Sequence, residues 1–178
     1  MVVIITGLTL SGKSTMAKEL IRRGYRPVLE YTTRPMRKGE KNNVDYHFVD
    51  DVTFDVIEAA GEFAEIFHVE TIYGLWKYGA KKEDLKDDCV FTCGTNQIPQ
   101  LLSSGIPCFT VLLDIKKDTA MNRAIRRGDN PEEFNRRFAK DKPSVDAIRS
   151  QVDLILDADN RVDINATIIE DTLSDKVQ

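Results

Sequence analysis

The chain has 178 residues, of which 42% are hydrophobic and 30% are charged, and its formal net charge is −4 at pH 7. This length and composition predict one folded domain with its own core and exclude a disordered chain. This net negative charge argues against a general nucleic-acid-binding protein. No apolar run reaches the roughly 18–20 residues of a membrane span, so we expect neither a nucleic-acid nor a membrane partner.

The N-terminus and the cysteines indicate where the protein works. The opening segment lacks a positively charged region and reaches Gly7 too early for a signal peptide. Cys89, Cys93 and Cys108 form no paired metal or redox motif, and we expect them to be reduced. The sequence therefore predicts a cytoplasmic protein, either a monomer or a homodimer.

The N-terminal segment reads as strand, loop and helix. Val2–Thr6 is a short apolar run rich in β-branched residues, typical of a buried parallel strand. A glycine-containing loop, 7–12, follows it. From Lys13 the apolar residues recur at helical spacing, and Gly24 is a plausible end for that helix.

Residues 34–79 differ in sequence pattern from the segments on either side, and this pattern predicts a small inserted α+β unit. A loop rich in proline and charge comes first, then a helix over 51–60 that Gly61 ends. Two strands are predicted next, over 62–68 and 72–78.

Strand and helix alternate again after residue 79. The pattern predicts strands over 89–93, 107–115 and 154–156, and helices over 97–103, 119–127, 131–139 and 164–173. Such alternation predicts a parallel sheet with helices on both faces. We expect an α/β core of 1–33 and 80–178, a helical lid at about 119–140, and the insertion at 34–79.

The first loop carries a phosphate-binding motif. Gly7 to Ser14 fits G-x-x-x-x-G-K-S/T, the P-loop, and lies between a predicted strand and a predicted helix as that motif requires. Backbone N–H groups and the helix N-terminus would hold the phosphates of ATP, and Lys13 would reach the β- and γ-phosphates. Ser14 is placed to bind Mg²⁺. The predicted ATP-binding residues here are Gly7, Leu8, Thr9, Leu10, Ser11, Gly12, Lys13, Ser14 and Thr15.

A second region identifies a family. Residues 32–40 read T-T-R-P-M-R-K-G-E and residues 45–49 read D-Y-H-F-V. Together with the P-loop, these segments resemble the guanylate kinase family, whose fold is a P-loop parallel sheet with an inserted monophosphate-binding unit and a lid.

The resemblance implies how a nucleoside monophosphate is held. Arg34 and Arg37 offer planar guanidinium groups, and Tyr46 and Tyr73 offer hydroxyls, to one phosphate. Glu65 matches the family residue that accepts hydrogen bonds from guanine. Thr33 matches part of the pocket lining.

A second arginine cluster resembles the family's lid. Arg123 and Arg127 lie four residues apart on a predicted helix, and Arg137 follows beyond a turn. In the family such arginines neutralise the moving phosphoryl group. The predicted catalytic residues are Lys13, Arg34, Arg127 and Arg137, with Arg123 also at the ATP site; the neighbours Arg126 and Arg136 remain alternatives.

Four positions depart from the family pattern and leave the accepted base and sugar open. Glu30 stands where the family has a serine that touches the guanine 6-oxygen. Thr92 and Gly94 replace acidic residues at a strand end, and Asp157 replaces an asparagine near the adenine.

We expect an ATP- and Mg²⁺-dependent kinase that phosphorylates a nucleoside monophosphate, with GMP or dGMP favoured. Another nucleoside monophosphate or a ribose bisphosphate precursor is the alternative acceptor. A non-catalytic interaction module is the alternative of another class. No general base is needed, because a phosphate oxygen is already a nucleophile, and we expect His47 and His68 to be structural.

Overall fold

The structure is a computed structural model and describes residues 1–177. In chain order its elements are β1 (Val2–Thr6), α1 (Lys13–Arg22), β2 (Arg26–Pro27), β3 (Tyr31–Thr32), β4 (His47–Phe48), α2 (Asp51–Ala59), β5 (Phe63–Thr71), β6 (Gly74–Lys81), β7 (Cys89–Thr92), α3 (Ile98–Ser103), β8 (Cys108–Asp114), α4 (Lys117–Arg127), α5 (Pro131–Ile148), β9 (Leu154–Asp157) and α6 (Val162–Val177).

A five-stranded sheet forms the centre of the fold. Its order is β2-β7-β1-β8-β9, and every neighbouring pair is parallel. All five residues of β1 are buried because this strand lies in the middle of a sheet covered by helices. The predicted α/β fold with a parallel central sheet is confirmed.

The helices cover the sheet and fix its ends. Met16 and Leu20 of α1 are buried against the sheet. Arg23, just after α1, binds the carboxylate of Glu170 at 2.6 Å and the carbonyl of Asp163 at 2.8 Å, which ties α1 to α6. Among the described helices, none is both long enough and apolar enough to cross a membrane.

A second sheet is built from residues 31–81. Its order is β4-β3-β6-β5, with β3 antiparallel to β6 and β6 antiparallel to β5. Phe54 and Ile57 of α2 pack with Phe63 on one face and form a small separate core. This sheet begins three residues before the predicted insertion and ends two residues after it.

Several elements differ from their predicted bounds, and the sixth strand and α5 show the physical reasons. The sixth strand begins at Gly74 and not at Ile72, because Ile72 and Tyr73 form the turn between β5 and β6. The hydroxyl of Thr71, the last residue of β5, closes this turn by donating to the Gly74 carbonyl at 2.8 Å. Helix α5 continues from the predicted end at 139 to Ile148 and includes Pro143. Its apolar side chains beyond that proline are buried, and this burial extends the helix.

Candidate active site

The P-loop joins β1 to α1 with a geometry that only glycine permits. Gly7 has φ +145°, and a β-carbon there would lie 2.6 Å from the Leu113 carbonyl oxygen and 2.8 Å from the Ser11 hydroxyl. Gly12 has φ +96° at the cap position of α1. The loop therefore packs closely against the sheet at Gly7 and leads directly into the N-terminus of α1, whose free N–H groups attract anions.

A cavity of about 510 Å³ opens over this loop on the side of α4. Of the residues predicted to bind ATP, it is lined by Thr9, Leu10, Ser11, Gly12, Lys13, Ser14, Thr15, Arg123 and Arg127. Asn160 and Asn165 also line it and are joined by a hydrogen bond of 3.1 Å. Asp157 itself accepts a backbone hydrogen bond from Asp159 in the turn after β9.

Lys13 folds back over the loop. Its Nζ donates to the carbonyl oxygens of Gly7 at 2.8 Å and Leu8 at 2.9 Å. Burial lowers the pKa of Lys13. A phosphate entering the loop would exchange these carbonyl contacts for its own oxygens and favour the charged ammonium.

The three predicted lid arginines have different surroundings. Arg123 donates to the carbonyls of Leu10 at 3.0 Å and Ala158 at 2.7 Å, so it braces the loop. Arg127 lines the cavity and pairs with Asp129 at 2.9 Å. Arg137 lies 3.3 Å from Glu133 on its own helix and does not line this cavity.

A second cavity, also of about 510 Å³, lies on the other side of the loop. It is lined by Gly7, Leu8, Thr9 and Lys13 from the P-loop and by Phe67 from the second sheet. Gly94, Thr95, Asn96, Lys140, Asp141 and Ser144 complete its wall. Lys13 therefore stands between two pockets of equal size.

One face of the second sheet points toward this second cavity. In antiparallel sheets, directly opposed residues share a face and alternate residues return to it. Thr32 opposes Tyr78, and Tyr78 opposes Phe67, so these three share the face that Phe67 brings to the cavity. Two residues further along the strands, Ala80 opposes Glu65, which is buried on the same face.

Arg34 is held firmly beside this face. It is only 4% exposed, and its guanidinium makes two parallel hydrogen bonds of 2.9 Å to the Glu40 carboxylate. Its central carbon lies 5.2 Å from the centre of the Tyr46 ring. Glu40 raises the pKa of Arg34, and the Tyr78 hydroxyl adds to this effect. Arg37 is exposed, and its backbone N–H donates to Glu40.

Tyr73 is not brought to this cluster. It lies in the turn between β5 and β6 and is 80% exposed. Tyr78 lies beside Tyr46 instead, with its ring centre 6.2 Å from that of Tyr46. The sequence contains a tyrosine–glycine pair at both positions, 73–74 and 78–79, and only strand register distinguishes them.

Glu65 is fully buried and held by two donors. The Ala80 N–H donates to one carboxylate oxygen at 2.9 Å, and the Gln97 amide donates to the other at 2.6 Å. Sequence reasoning missed Gln97, whose own oxygen accepts from the Gly94 N–H at 2.6 Å. Thr33 pairs with the Lys77 backbone, its hydroxyl accepting at 3.0 Å, and so supports the sheet edge.

Comparison with known proteins shows the family of this chain. The family model of guanylate kinase matches residues 1–176. This chain belongs to the guanylate kinase family. A guanylate kinase from Tropheryma whipplei (strain Twist) is 30% identical over 175 residues, covering 91% of this chain and 88% of that protein. One from Alkalilimnicola ehrlichii is 29% identical over 149 residues, covering 77% and 70%.

The fold of a solved guanylate kinase is also similar. The crystal structure of guanylate kinase from Anaplasma phagocytophilum aligns with a TM-score of 0.64 at 18% identity and covers 100% of this chain and 87% of that one. As a guanylate kinase family member, this chain is a nucleotide-binding phosphotransferase of the kinase type.

Guanylate kinases generally use ATP with Mg²⁺, and Ser14 fits a role in holding that ion. Its side chain is exposed at the first turn of α1 and lines the ATP-side cavity. Within residues 1–177 there is no group of three or more histidine, cysteine or acidic side chains placed to hold a metal. The Ser14 hydroxyl and nucleotide phosphates are oxygen ligands of the kind that Mg²⁺ prefers.

Proposed function

We propose that this guanylate kinase family member transfers the γ-phosphoryl group of ATP to a nucleoside monophosphate, with GMP or dGMP as the favoured acceptor. The observation that carries the proposal is the position of Lys13 between two cavities. ATP binds on the α4 side of the P-loop and the monophosphate binds on the side of the second sheet. The reacting phosphates then meet at Lys13.

The acceptor phosphate is held by Arg34, Tyr46 and Tyr78, with Arg37 completing the set from the adjacent loop. The Glu40 carboxylate keeps Arg34 oriented before substrate arrives, so little reorganisation is needed on binding. A monophosphate oxygen is a competent nucleophile, and the work of the protein is positioning and charge neutralisation.

Residues 34–79 serve as the monophosphate-binding unit and residues 119–140 as the lid. Arg127 already lines the ATP-side cavity, and closure of α4 and α5 would bring Arg137 toward the same phosphates. Mg²⁺ would neutralise phosphate charge during transfer when bound with ATP. Closure of α4 and α5 would exclude water from the site and so protect ATP from hydrolysis.

A panel of ribo- and deoxynucleoside monophosphates tests the proposal, with diphosphate formation as the readout. Wild type is expected to convert GMP and dGMP fastest. Lys13→Ala should lower kcat by about a hundredfold or more, because a charged group at the transferring phosphate is lost. Lys18→Ala, an exposed lysine on the same helix, is the matched control and should stay within about twofold of wild type.

Three results would contradict the proposal. If a monophosphate of another base were converted to its diphosphate a hundredfold faster than GMP and dGMP, guanine would not be the accepted base. Transfer only to a ribose bisphosphate precursor would move the acceptor to another class. Binding of nucleotides without transfer to any acceptor would indicate an interaction module.

A further inference from the structure

Among residues 1–177, one acidic side chain lines the cavity on the second-sheet side of the P-loop. It is Asp141 of α5, and it shares the cavity wall with Lys13 and Phe67. The ATP-side cavity is lined by other residues. A carboxylate in a pocket that receives a phosphate needs a physical reason, because the two negative charges repel each other.

The contact between α5 and the loop after β7 fixes the position of Asp141. Ser144, one turn further along α5, donates its hydroxyl proton to the Asp141 carbonyl at 2.6 Å. The Thr95 hydroxyl lies 2.5 Å from the Ser144 oxygen, and Thr95 is the donor there because Ser144 has only one proton to give. Thr95 is buried, so these hydrogen bonds hold this part of α5 against the core.

The Asp141 carboxylate has no partner on its own helix. Arg137, one turn before it, lies 3.3 Å from Glu133, and Lys142 pairs with Asp146 at 2.7 Å. Asp141 is half-buried, and none of the hydrogen bonds or ion pairs within residues 1–177 uses its carboxylate oxygens. A ligand in the cavity therefore meets an acceptor whose capacity is unused.

Lys13 lies in the same cavity but does not satisfy this carboxylate. Its Nζ donates to the carbonyl oxygens of Gly7 and Leu8. Burial lowers the pKa of Lys13, and the Asp141 charge acts in the opposite direction, so the two groups lie within electrostatic reach of each other. A bound phosphate would attract the ammonium to its own oxygens, and Asp141 would still need a donor from the ligand.

We propose that Asp141 is a specificity-determining residue that accepts hydrogen bonds from the sugar hydroxyls of the acceptor nucleotide. It thereby selects a ribonucleoside monophosphate over its 2′-deoxy counterpart. This inference rests on the proposed function, because it names the sugar that the same site takes.

The chemistry of a carboxylate leads to the sugar. An ionised carboxylate accepts hydrogen bonds and donates none, so its ligand must present donors. The phosphate beside Lys13 is negatively charged, and the base is separated from that phosphate by the sugar. The 2′- and 3′-hydroxyls are two neighbouring donors, and a single carboxylate has two oxygens to accept from them. Acidic side chains recognise ribose in this way in dinucleotide-binding folds.

Steady-state kinetics with GMP and dGMP at saturating ATP test the inference. For wild type, kcat/KM for GMP should exceed that for dGMP by about tenfold or more, because dGMP lacks a donor to a charged group and leaves the carboxylate underused. For Asp141→Ala, the ratio of the two values should fall to within about threefold of one, through a loss for GMP and not for dGMP.

Calorimetric titration with each monophosphate, without ATP, supplies a second readout that needs no turnover. The ratio of the two Kd values should fall in Asp141→Ala as the kinetic ratio does. Asp146→Ala is the matched control, because Asp146 is exposed on the same helix and pairs with Lys142, and it should keep the wild-type ratio. Asp141→Asn keeps the side-chain size and one acceptor, and its ratio should lie between those of wild type and Asp141→Ala.

The outcomes separate the two proposals. If wild type binds and phosphorylates GMP and dGMP equally well, the role of Asp141 is overturned and the kinase proposal stands. The same holds if Asp141→Ala lowers both activities equally, since Asp141 would then act through Lys13 or the phosphates. If no monophosphate is bound, both proposals fall. Should Asp141→Ala fail to fold, Asp141→Asn and the wild-type ratio decide the question.

Discussion

The Tyr78 hydroxyl offers the sharpest test of how the second sheet builds the acceptor site. Tyr78→Phe removes one oxygen and keeps the ring, which packs with its centre 6.2 Å from those of Tyr46 and Phe67. A hydrogen bond to a charged group contributes about 1.5–3 kcal/mol. At about 1.4 kcal/mol per factor of ten, its loss should raise KM for the monophosphate about 10- to 150-fold.

Tyr73→Phe is the matched control for that experiment. Tyr73 is 80% exposed in the turn before β6, so its hydroxyl contacts solvent and its loss should change KM by less than about twofold. Steady-state kinetics with varied monophosphate at saturating ATP measure both variants, and KM for ATP should stay constant in each. An increase in the monophosphate KM for Tyr73→Phe, with Tyr78→Phe unaffected, would refute the register-based assignment.

Two further predictions concern stability and the P-loop. Arg34 holds the pKa of Glu40 below its ordinary value, so this carboxylate stabilises the fold above about pH 4.3 and loses that effect as pH falls. Thermal melts of Glu40→Gln should therefore lie below wild type at about pH 7, and the gap should narrow as the pH falls through the lowered pKa of Glu40. A gap that did not narrow in acid would contradict the ion pair. Gly7→Ala places a β-carbon 2.6 Å from the Leu113 carbonyl and should abolish ATP binding in a nucleotide titration. Gly105→Ala, outside the P-loop with φ +75° and open space, should keep ATP binding and controls for the general cost of alanine at a positive φ.

The P-loop and the central sheet were predictable because their signals are local. Val2–Thr6 is a continuous apolar run, as the middle strand of a covered sheet requires, and the motif from Gly7 to Ser14 follows it directly. The helix from Lys13 begins where the motif ends. Each of these features depends on neighbours within a few residues, so no tertiary information was needed.

The acceptor site was less predictable because its residues meet through strand pairing. The predicted sixth strand, 72–78, begins two residues before the observed start at Gly74. Strand pairing brings Tyr78 and not Tyr73 beside Tyr46, although both tyrosines are followed by glycine in the sequence. Motif spacing cannot distinguish two such pairs, whereas the pairing of Tyr78 with Thr32 and Phe67 can.

The departures from the family pattern are physically linked. Where the family has an acid at the end of the strand before the middle helix, a β-carbon at Gly94 would lie 2.7 Å from the Asn96 side-chain oxygen and 3.0 Å from that of Gln97. Gln97 occupies this space and holds Glu65. The sequence therefore has a carboxyl at Glu30 and none at Gly94, and the hydrogen bond from Gln97 to Glu65 depends on the space that the glycine leaves.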